Sequence, residues 1–350
     1  MTPHNLKDWT RARLRDWFSE HNERPFRADQ VFTWLYQKDV CDWDGMSNLA
    51  KSTRQLLIEN FHLPRLTRVA EQVSKDGSRK YLLSLHDGKT IETVLMPHHD
   101  HHTVCVSSQV GCAMGCSFCV TGKMGLIRNL SAGEIVEQVV EARRDATGLP
   151  LRNIVFMGMG EPFHNYDQVM TALEILTDEY GFNFSQRRVT VSTSGLVTQI
   201  RRFGQERVKA NLAISLNGSS DTVRGRLMPV NKRYNLAQLV QVCQEFPLEA
   251  RKRITFEYIL LKGITDSIDD AKALIRLLHG VKFKINLIPF NAAPDSEYQR
   301  SDWEQIQRFQ GYLLDRGVVA TLRISKGQDI QGACGQLRSE QGLAVEERVG

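Results

Sequence analysis

The chain has 350 residues, of which 41% are hydrophobic and 24% charged, a composition typical of a folded water-soluble protein. This length accommodates one large α/β domain and a smaller one. No apolar run approaches the ~18 residues of a membrane span, which argues against a membrane partner. Seven cysteines without an apolar N-terminal leader argue against a secreted disulfide scaffold and predict a reducing, cytoplasmic setting. The net charge of +5 is compatible with nucleic-acid binding but does not require it.

Residues 1–61 are predicted to form a helical module. Apolar residues recur at helical spacing in Trp9–Phe18 and Ala28–Tyr36, and a third helix is predicted from Leu49 to Asn60. Residues 1–60 contain nine basic and nine acidic residues, so the module is not a basic arm. A packed helical cap is the simpler interpretation, and an accessory domain that guides RNA is the functional one.

Residues 62–102 change to the two-residue period of β-strands and form a predicted small β region with a linker. Arg68–Val73 and Lys80–Leu85 flank an Asp-Gly pair, which predicts a hairpin. A third strand follows over Ile91–Met96 and contains Glu92, a lone carboxylate of the kind that is usually solvated.

Four histidines crowd the end of this region, at His98, His99, His101 and His102. No helix or hairpin is predicted to aim them at a common point. A solvated loop is therefore the simpler interpretation, and a metal site is the alternative.

Residues 103–338 alternate between strand and helix patterns, which predicts right-handed crossovers and a parallel sheet. Two S-x-x-E capping boxes, at Ser131 and Ser301, mark predicted helix starts. Six or seven such units are too few for a closed eightfold barrel. The predicted fold is α/β, an open, partial (β/α)6-type barrel whose lateral mouth admits a bulky substrate. Residues 339–350 are a predicted polar tail. The predicted strands are Val104–Ser108, Asn153–Met157, Arg188–Ser192, Asn211–Leu216, Ile254–Leu261, Lys284–Ile288 and Val318–Ile324.

Three cysteines lie within eight residues, at Cys112, Cys116 and Cys119, with C-x3-C-x2-C spacing. A 4Fe–4S cluster binds one thiolate per iron, so three thiolates leave one iron open to bind a small molecule. The alternative is a structural zinc site completed by Cys105.

Polar residues follow the carboxyl ends of successive predicted strands, which is where ligands bind to parallel α/β sheets. The glycines of Gly158–Pro162 allow close backbone approach, and Glu161 is suited to grip an ammonium group. Together these loops predict a cofactor pocket beside the cysteines. The other strand-end segments are Ser192–Gly195, Ser215-Leu216-Asn217 and Asn291.

The cysteine motif resembles that of the radical S-adenosylmethionine (SAM) enzymes. Near the C-terminus Gly332–Leu337 contains Cys334, and Cys105–Cys112 and Met228–Asn231 form further motifs. With Gly158–Pro162, these segments resemble the RlmN/Cfr family of radical SAM RNA methyltransferases over nearly the whole chain. They are closer to the RlmN branch, which methylates adenosine at C2, than to the Cfr branch, which methylates it at C8.

The resemblance implies one 4Fe–4S cluster per chain, held by the three cysteines of the motif and coordinated by SAM, with two SAM molecules consumed per turnover. It implies that Gly160 and Glu161 bind the methionine amine of SAM. The polar strand-end residues fit the rest of SAM, and they are Ser192, Ser215, Leu216, Asn217 and Asn291.

C2 of adenine is not nucleophilic, so a polar methyl transfer from SAM should fail there. The resemblance implies that one SAM methylates Cys334 and that a radical derived from the second takes hydrogen from this methyl group. The carbon radical then adds to C2 and tethers RNA to the protein. Cys105 removes the C2 proton and forms a disulfide with Cys334, which releases the product. Glu92 is also implied as a proton acceptor, and the sequence does not decide between it and Cys105.

The implied RNA partners are 23S rRNA, at an adenosine of the peptidyl-transferase loop, and the tRNA adenosine just 3′ of the anticodon. A flavodoxin- or ferredoxin-type electron donor and a thiol reductant complete the implied partners. A basic rim for RNA phosphates is predicted in the catalytic half. Its residues are Arg187, Arg188, Arg201, Arg202, Arg224, Arg226, Lys232, Arg233, Arg251, Lys252 and Arg253.

Three alternatives remain at this level. A Cfr-like enzyme would methylate C8 instead of C2. A radical SAM enzyme with a small-molecule substrate would share the cysteine motif but would not need Cys105 and Cys334 as a pair. A zinc-stabilised RNA-binding protein would have no use for the cofactor pocket.

Overall fold

The computed structural model describes residues 3–292 and 296–337. The predicted polar tail, 339–350, lies outside the described residues. No helix within the described ranges is long and apolar enough to cross a membrane.

The N-terminal module contains the three predicted helices. Helix α2 continues as a π-helical turn over Thr33–Gln37, so the predicted second helix has two parts. The module packs on the barrel through ion pairs, including one from Lys7 to Glu137 and one from Arg11 to Asp178. Its elements are β1 (His4–Asn5), α1 (Arg11–Glu20), α2 (Arg27–Phe32), α3 (Lys51–Asn60) and β2 (Phe61–His62).

The predicted hairpin and the strand after it form an antiparallel meander that joins the barrel sheet. Gly77 lies in the hairpin turn with φ 82°, a backbone conformation that suits glycine. The third strand pairs with the first barrel strand, with Val94 opposite Cys105. The strands are β3 (Thr67–Val73), β4 (Arg79–Ser84), β5 (Thr90–Pro97) and β6 (His102–Cys105).

The barrel half contains all the predicted parallel strands. Strand β6 ends at Cys105, three residues before its predicted end, and it includes His102, which was expected in a loop. The remaining strands are β7 (Gln109–Gly111), β8 (Leu126–Asn129), β9 (Leu151–Phe156), β10 (Val189–Thr193), β11 (Asn211–Ser215), β12 (Ile254–Leu260), β13 (Phe283–Pro289) and β14 (Ala320–Leu322). The helices are α4 (Val120–Lys123), α5 (Ala132–Asp145), α6 (Tyr166–Thr177), α7 (Val197–Gln205), α8 (Asp221–Leu227), α9 (Leu236–Glu245), α10 (Ile268–Leu277) and α11 (Trp303–Leu314).

Ten strands form one sheet in the order β14-β13-β12-β11-β10-β9-β6-β5-β4-β3. Seven of these strands, β6 and β9 to β14, are parallel to one another. Strands β3 to β5 extend the sheet in antiparallel pairing. The sheet has two ends that do not pair with each other among the described strands, which confirms the open, partial barrel.

One of the two predicted capping boxes is present. At the start of α5, Ser131 Oγ accepts a hydrogen bond from the Glu134 N–H, and the Glu134 carboxylate accepts one from the Ser131 N–H. The second prediction is wrong, because Asp302 is the N-cap of α11 and Ser301 lies outside the helix. Ser301 is buried by tertiary packing, which the local pattern could not show.

Candidate active site

The three motif cysteines lie in a loop between β7 and β8, after the carboxyl end of β6. Gly111 has φ 76°, and a Cβ there would lie 1.9 Å from the Gly125 carbonyl oxygen, so only glycine fits. The Cys112 N–H donates to the same carbonyl at 2.9 Å. At the other end of the loop the Ser117 N–H donates to the Leu227 carbonyl at 3.0 Å. Backbone hydrogen bonds within the protein therefore hold the cysteine loop at both of these points.

Cys112, Cys116 and Cys119 line one cavity together. Burial raises the pKa of each thiol, that of Cys112 to about 12, and for Cys116 the nearness of the other two thiols adds to this effect. Three clustered, desolvated thiols favour a positively charged partner that binds them as thiolates, which fits an iron–sulfur cluster.

Within the described ranges, no group of three or more histidine, cysteine or acidic side chains is arranged to hold a single metal ion. The side chains of the histidine segment, residues 98–102, have neighbours of their own. In that segment the rings of His98 and His101 stack 4.6 Å apart, and His101 contacts Asp100 and Asn153.

The loop after β9 lies against the same cavity. Gly160 has φ 99°, and a Cβ there would lie 2.6 Å from the Gln109 side chain. Glu161 accepts from the Ser194 N–H at 2.6 Å and from the Phe163 N–H at 3.1 Å. Burial raises the pKa of Glu161, and the Ser194 bond opposes that shift. This carboxylate thus ties together the loops that follow β9 and β10, and its remaining lone pairs are available to an ammonium group.

Five of the seven predicted SAM-binding residues line this cavity with the cysteines. They are Gly160, Glu161, Ser192, Ser215 and Asn217.

The other two predicted residues, Leu216 and Asn291, do not line this cavity. Leu216 is fully buried. Asn291 donates to Ser325 Oγ at 2.9 Å and to the Cys334 carbonyl at 3.5 Å, so it holds the segment that carries Cys334.

Arg224 was predicted as part of the basic rim, and this prediction is wrong. Its side chain is fully buried, and burial lowers its pKa to about 10. The guanidinium donates to Asn231 Oδ1 and to three carbonyl oxygens, those of Ser194, Leu216 and Ser215. Arg224 therefore joins the loops after β10 and β11. The only sequence signal was its proximity to the Met228–Asn231 motif.

Cys105 and Cys334 line a second cavity of about 350 Å³. Burial raises the pKa of Cys105 to about 12, with a further contribution from Cys334 nearby. Both are free thiols, and Cys334 lines the first cavity as well. Two cysteines far apart in the chain therefore meet beside the cofactor pocket.

Basic side chains also line the second cavity, and sequence reasoning predicted only two of them for RNA. Arg187 and Arg188 were predicted, whereas Lys284, Arg323 and Lys326 were not. Arg323 lies 3.8 Å from Glu257 and 3.1 Å from the Met157 sulfur.

Glu92 lies in β5, outside both cavity linings. Its carboxylate forms a buried ion pair with Lys80 at 2.9 Å, and its carbonyl accepts from Ser107 Oγ. The sequence placed it on a strand correctly but could not show this partner.

The parallel partial barrel, with its cysteine loop and polar strand ends, defines a radical SAM protein. Residues 106–278 match the radical SAM superfamily. Residues 4–63 match the ribosomal RNA large subunit methyltransferase N-terminal domain. The chain belongs to the RlmN family, as its similarity to full-length relatives shows.

Two relatives called "dual-specificity RNA methyltransferase RlmN" illustrate this similarity. The protein of Syntrophotalea carbinolica is 52% identical over 96% of this chain and 90% of its own. That of Geotalea uraniireducens is 47% identical over 98% of this chain and 99% of its own. The crystal structure of a radical SAM methyltransferase from Sphaerobacter thermophilus superposes with a TM-score of 0.90 at 47% identity, over 96% of this chain and 99% of that one.

Proposed function

We propose that this radical SAM RNA methyltransferase acts on C2 of adenosine, in the peptidyl-transferase loop of 23S rRNA and next to the tRNA anticodon. The relatives' dual specificity for RNA supports both substrates. The observation that carries the proposal is the placement of Cys334, which lines both the cavity of the cysteine triad and the cavity that contains Cys105. A small-molecule radical enzyme would have no need of this thiol pair.

Cys112, Cys116 and Cys119 would hold one 4Fe–4S cluster, and Gly160 and Glu161 would bind the methionine amine of SAM. When bound, the cluster and SAM supply a carbon radical strong enough to take hydrogen from a methyl group. The polar residues Ser192, Ser215 and Asn217 would orient the rest of SAM. Leu216 would contribute through its backbone, and Asn291 through its hold on the Cys334 segment.

Cys334 is proposed to accept a methyl group from the first SAM and to present it to the substrate. Its thiolate is a good nucleophile. The segment is tied to the cysteine loop, because the Val120 N–H donates to the Gly335 carbonyl at 2.8 Å. Arg323, beside both thiols, would stabilise negative charge on either sulfur.

The adduct formed when the carbon radical adds to C2 must lose one electron, which the cluster would accept, before the product can be released. Cys105, as a thiolate beside Arg323, is proposed to take the C2 proton at this point and then to release the product. Its sulfur attacks the sulfur of Cys334, so that a sulfur–sulfur bond forms and the carbon–sulfur bond to RNA breaks. The electron pair stays on the carbon, which takes a proton and becomes the methyl group. A thiol reductant then reopens the disulfide, which suits the reducing cytoplasm, and a flavodoxin- or ferredoxin-type protein supplies the electron.

Glu92 is retained as a proposed alternative proton acceptor. It would have to leave its ion pair with Lys80 to reach the second cavity, so Cys105 is favoured.

We also propose that residues 1–61 guide RNA to the barrel, 103–338. Residues 62–102 would connect the two through the meander.

The test is mass spectrometry of protein expressed in cells and purified without oxygen. We expect the Cys105→Ala variant to carry RNA covalently at Cys334, through a carbon bridge to C2 of adenine. A bridge at C8 would instead identify the Cfr-like activity. Cys243→Ala removes a buried cysteine of α9 outside both cavities and serves as the matched control. Unmodified Cys334 and no RNA on a cluster-loaded Cys105→Ala protein would refute the proposal.

If Glu92→Gln also accumulates the adduct, Glu92 takes part in proton removal.

A further inference from the structure

The two cavities meet inside the barrel at a wall of shared side chains. The residues that line both cavities are Met157, Glu257, Arg323, Cys334 and Leu337. Glu257 is the one carboxylate among these five. It lies in the middle of β12, and neither the sequence motifs nor the mechanism above gives it a role.

The two carboxylate oxygens of Glu257 have different surroundings. Oε1 accepts from Asn286 Nδ2 at 2.9 Å and faces Arg323 Nη1 at 3.8 Å. Oε2 is buried and has no hydrogen-bond partner among the residues that the structure describes. Leaving a buried charged oxygen unpaired is unfavourable, so such groups normally find a partner.

An unpaired carboxylate oxygen is not by itself a sign of binding, because Oε2 of Glu137, the ion-pair partner of Lys7, is unpaired among the described residues as well. The position of Glu257 makes the difference. Asn286 and Arg323 hold one side of the group. The free oxygen belongs to a residue on the wall of both cavities, where a bound ligand can supply the missing donor.

The ligands expected on the two sides of the wall carry the same kinds of hydrogen-bond donor. If the proposed function holds, the adenosine of SAM occupies the first cavity and the target adenosine of RNA enters the second. Each carries an exocyclic amino group and ribose hydroxyls, which donate hydrogen bonds. The final torsion of a glutamate is broad, so a small rotation can bring Oε2 to either cavity.

We propose that Glu257 is a recognition residue whose free carboxylate oxygen accepts a hydrogen bond from an adenosine bound in the barrel. Asn286 and Arg323 fix the other oxygen and so orient the group. This inference rests on the proposed function, and it adds a polar contact to a wall otherwise formed by sulfur, cationic and apolar side chains.

The experiment compares anaerobically purified, cluster-loaded wild type with Glu257→Gln and Glu257→Asp. The first keeps the shape but replaces an oxygen with an amino donor, and the second withdraws the carboxylate by one carbon. Glu245→Gln is the matched control, because Glu245 is exposed and its contacts, with Arg201 and Gln241, lie on the surface. Equilibrium dialysis gives the Kd of SAM without RNA, and steady-state methylation of an rRNA fragment gives kcat/KM.

Either source of the adenosine gives a distinct result. If SAM is the ligand, Glu257→Gln weakens SAM binding by about tenfold or more, the loss expected for a hydrogen bond to a charged group. If the target nucleotide is the ligand, the Kd of SAM is unchanged and kcat/KM falls by a similar factor. Unchanged values for both quantities in both variants, as in Glu245→Gln, overturn the inference.

Modified ligands keep the test valid if the variants do not fold. Wild-type protein is given RNA with purine riboside or 2′-deoxyadenosine at the target, and SAM analogues that lack the same donors. Equal binding of all these ligands would overturn the inference. Methylation of unmodified RNA by wild type tests the proposed function separately, and the dialysis of SAM needs no RNA.

Discussion

At the level of single residues, buried charged side chains hold the loops of the candidate active site in place. Glu161 accepts from backbone N–H groups of the loops after β9 and β10, and Arg224 donates to carbonyl oxygens of the loops after β10 and β11. Burial makes each of these bonds hard to replace, because water cannot take the place of a lost partner. The cofactor pocket therefore depends on ionic groups that contact the backbone.

Glu161→Gln is expected to weaken SAM binding by about tenfold or more while the cluster is retained. An amide can accept through one atom only, so its NH2 group would face one of the two backbone donors. Equilibrium dialysis with labelled SAM measures the affinity, and iron content checks the cluster. Unchanged affinity would show that Glu161 does not take part in the site.

Arg224→Met is expected to lower the free energy of unfolding by roughly 3 kcal/mol, because several buried acceptors lose their donor at once. Urea denaturation measures this loss. Arg226→Met, an exposed neighbour on the same helix, should change stability by less than about 0.5 kcal/mol. Similar values for the two variants would contradict the structural role assigned to Arg224.

At the level of secondary-structure elements, the turn of the β3–β4 hairpin anchors the segment that precedes Cys334. Asp76 accepts from the Gly327 N–H at 2.9 Å, and Asp329 accepts from Ser74 Oγ at 2.5 Å. Burial alone would raise the pKa of Asp76, but the Gly327 bond and others lower it to about 2. The meander thus supports the position of the Cys334 thiol, which lies far away in the chain.

Asp76→Asn is expected to speed hydrogen exchange in residues 325–335, because the turn loses a charged acceptor. The depressed pKa means that this anchor is intact above the ordinary value of 3.8 and is lost as the pH falls towards about 2. Exchange followed by mass spectrometry tests both points. Asp315→Asn, on the exposed end of α11, is the control, and equal exchange in the two variants would show that Asp76 is not an anchor.

Buried thiols give the whole molecule a characteristic response to alkali. Burial raises the pKa of Cys105, Cys112 and Cys243 to about 12 from an ordinary value of 9.0. In the unfolded chain these thiols ionise near pH 9, while burial disfavours their ionisation in the cluster-free folded chain. Stability contributed by each thiol is therefore complete below pH 9 and is lost as the pH rises towards 12.

Cys243→Ala isolates this effect, because Cys243 lies outside both cavities. Between pH 9 and 12 the unfolding free energy of the wild type should fall more steeply than that of the variant, by about 1.4 kcal/mol per pH unit. Urea denaturation of cluster-free protein at several pH values gives the slopes. Cys41→Ala, which removes an exposed thiol, should leave the slope unchanged. Parallel slopes for wild type and Cys243→Ala would mean that Cys243 ionises equally in both states.

Local patterns determined much of the architecture. The period of apolar residues located the helices of the N-terminal module, and the Asp-Gly turn located the β3–β4 hairpin. The spacing of Cys112, Cys116 and Cys119 placed three thiols in one loop. These features depend on neighbours within a few residues, so the sequence by itself was enough to define them.

Only the tertiary structure decided which distant residues meet. It brought Cys105 to Cys334, buried Arg224 that had been expected at the surface, and gave Glu92 a partner in Lys80. It also placed Glu257 between two cavities. The physical reason is that burial and side-chain neighbours depend on which strands lie side by side in the sheet, a long-range property that no local period records.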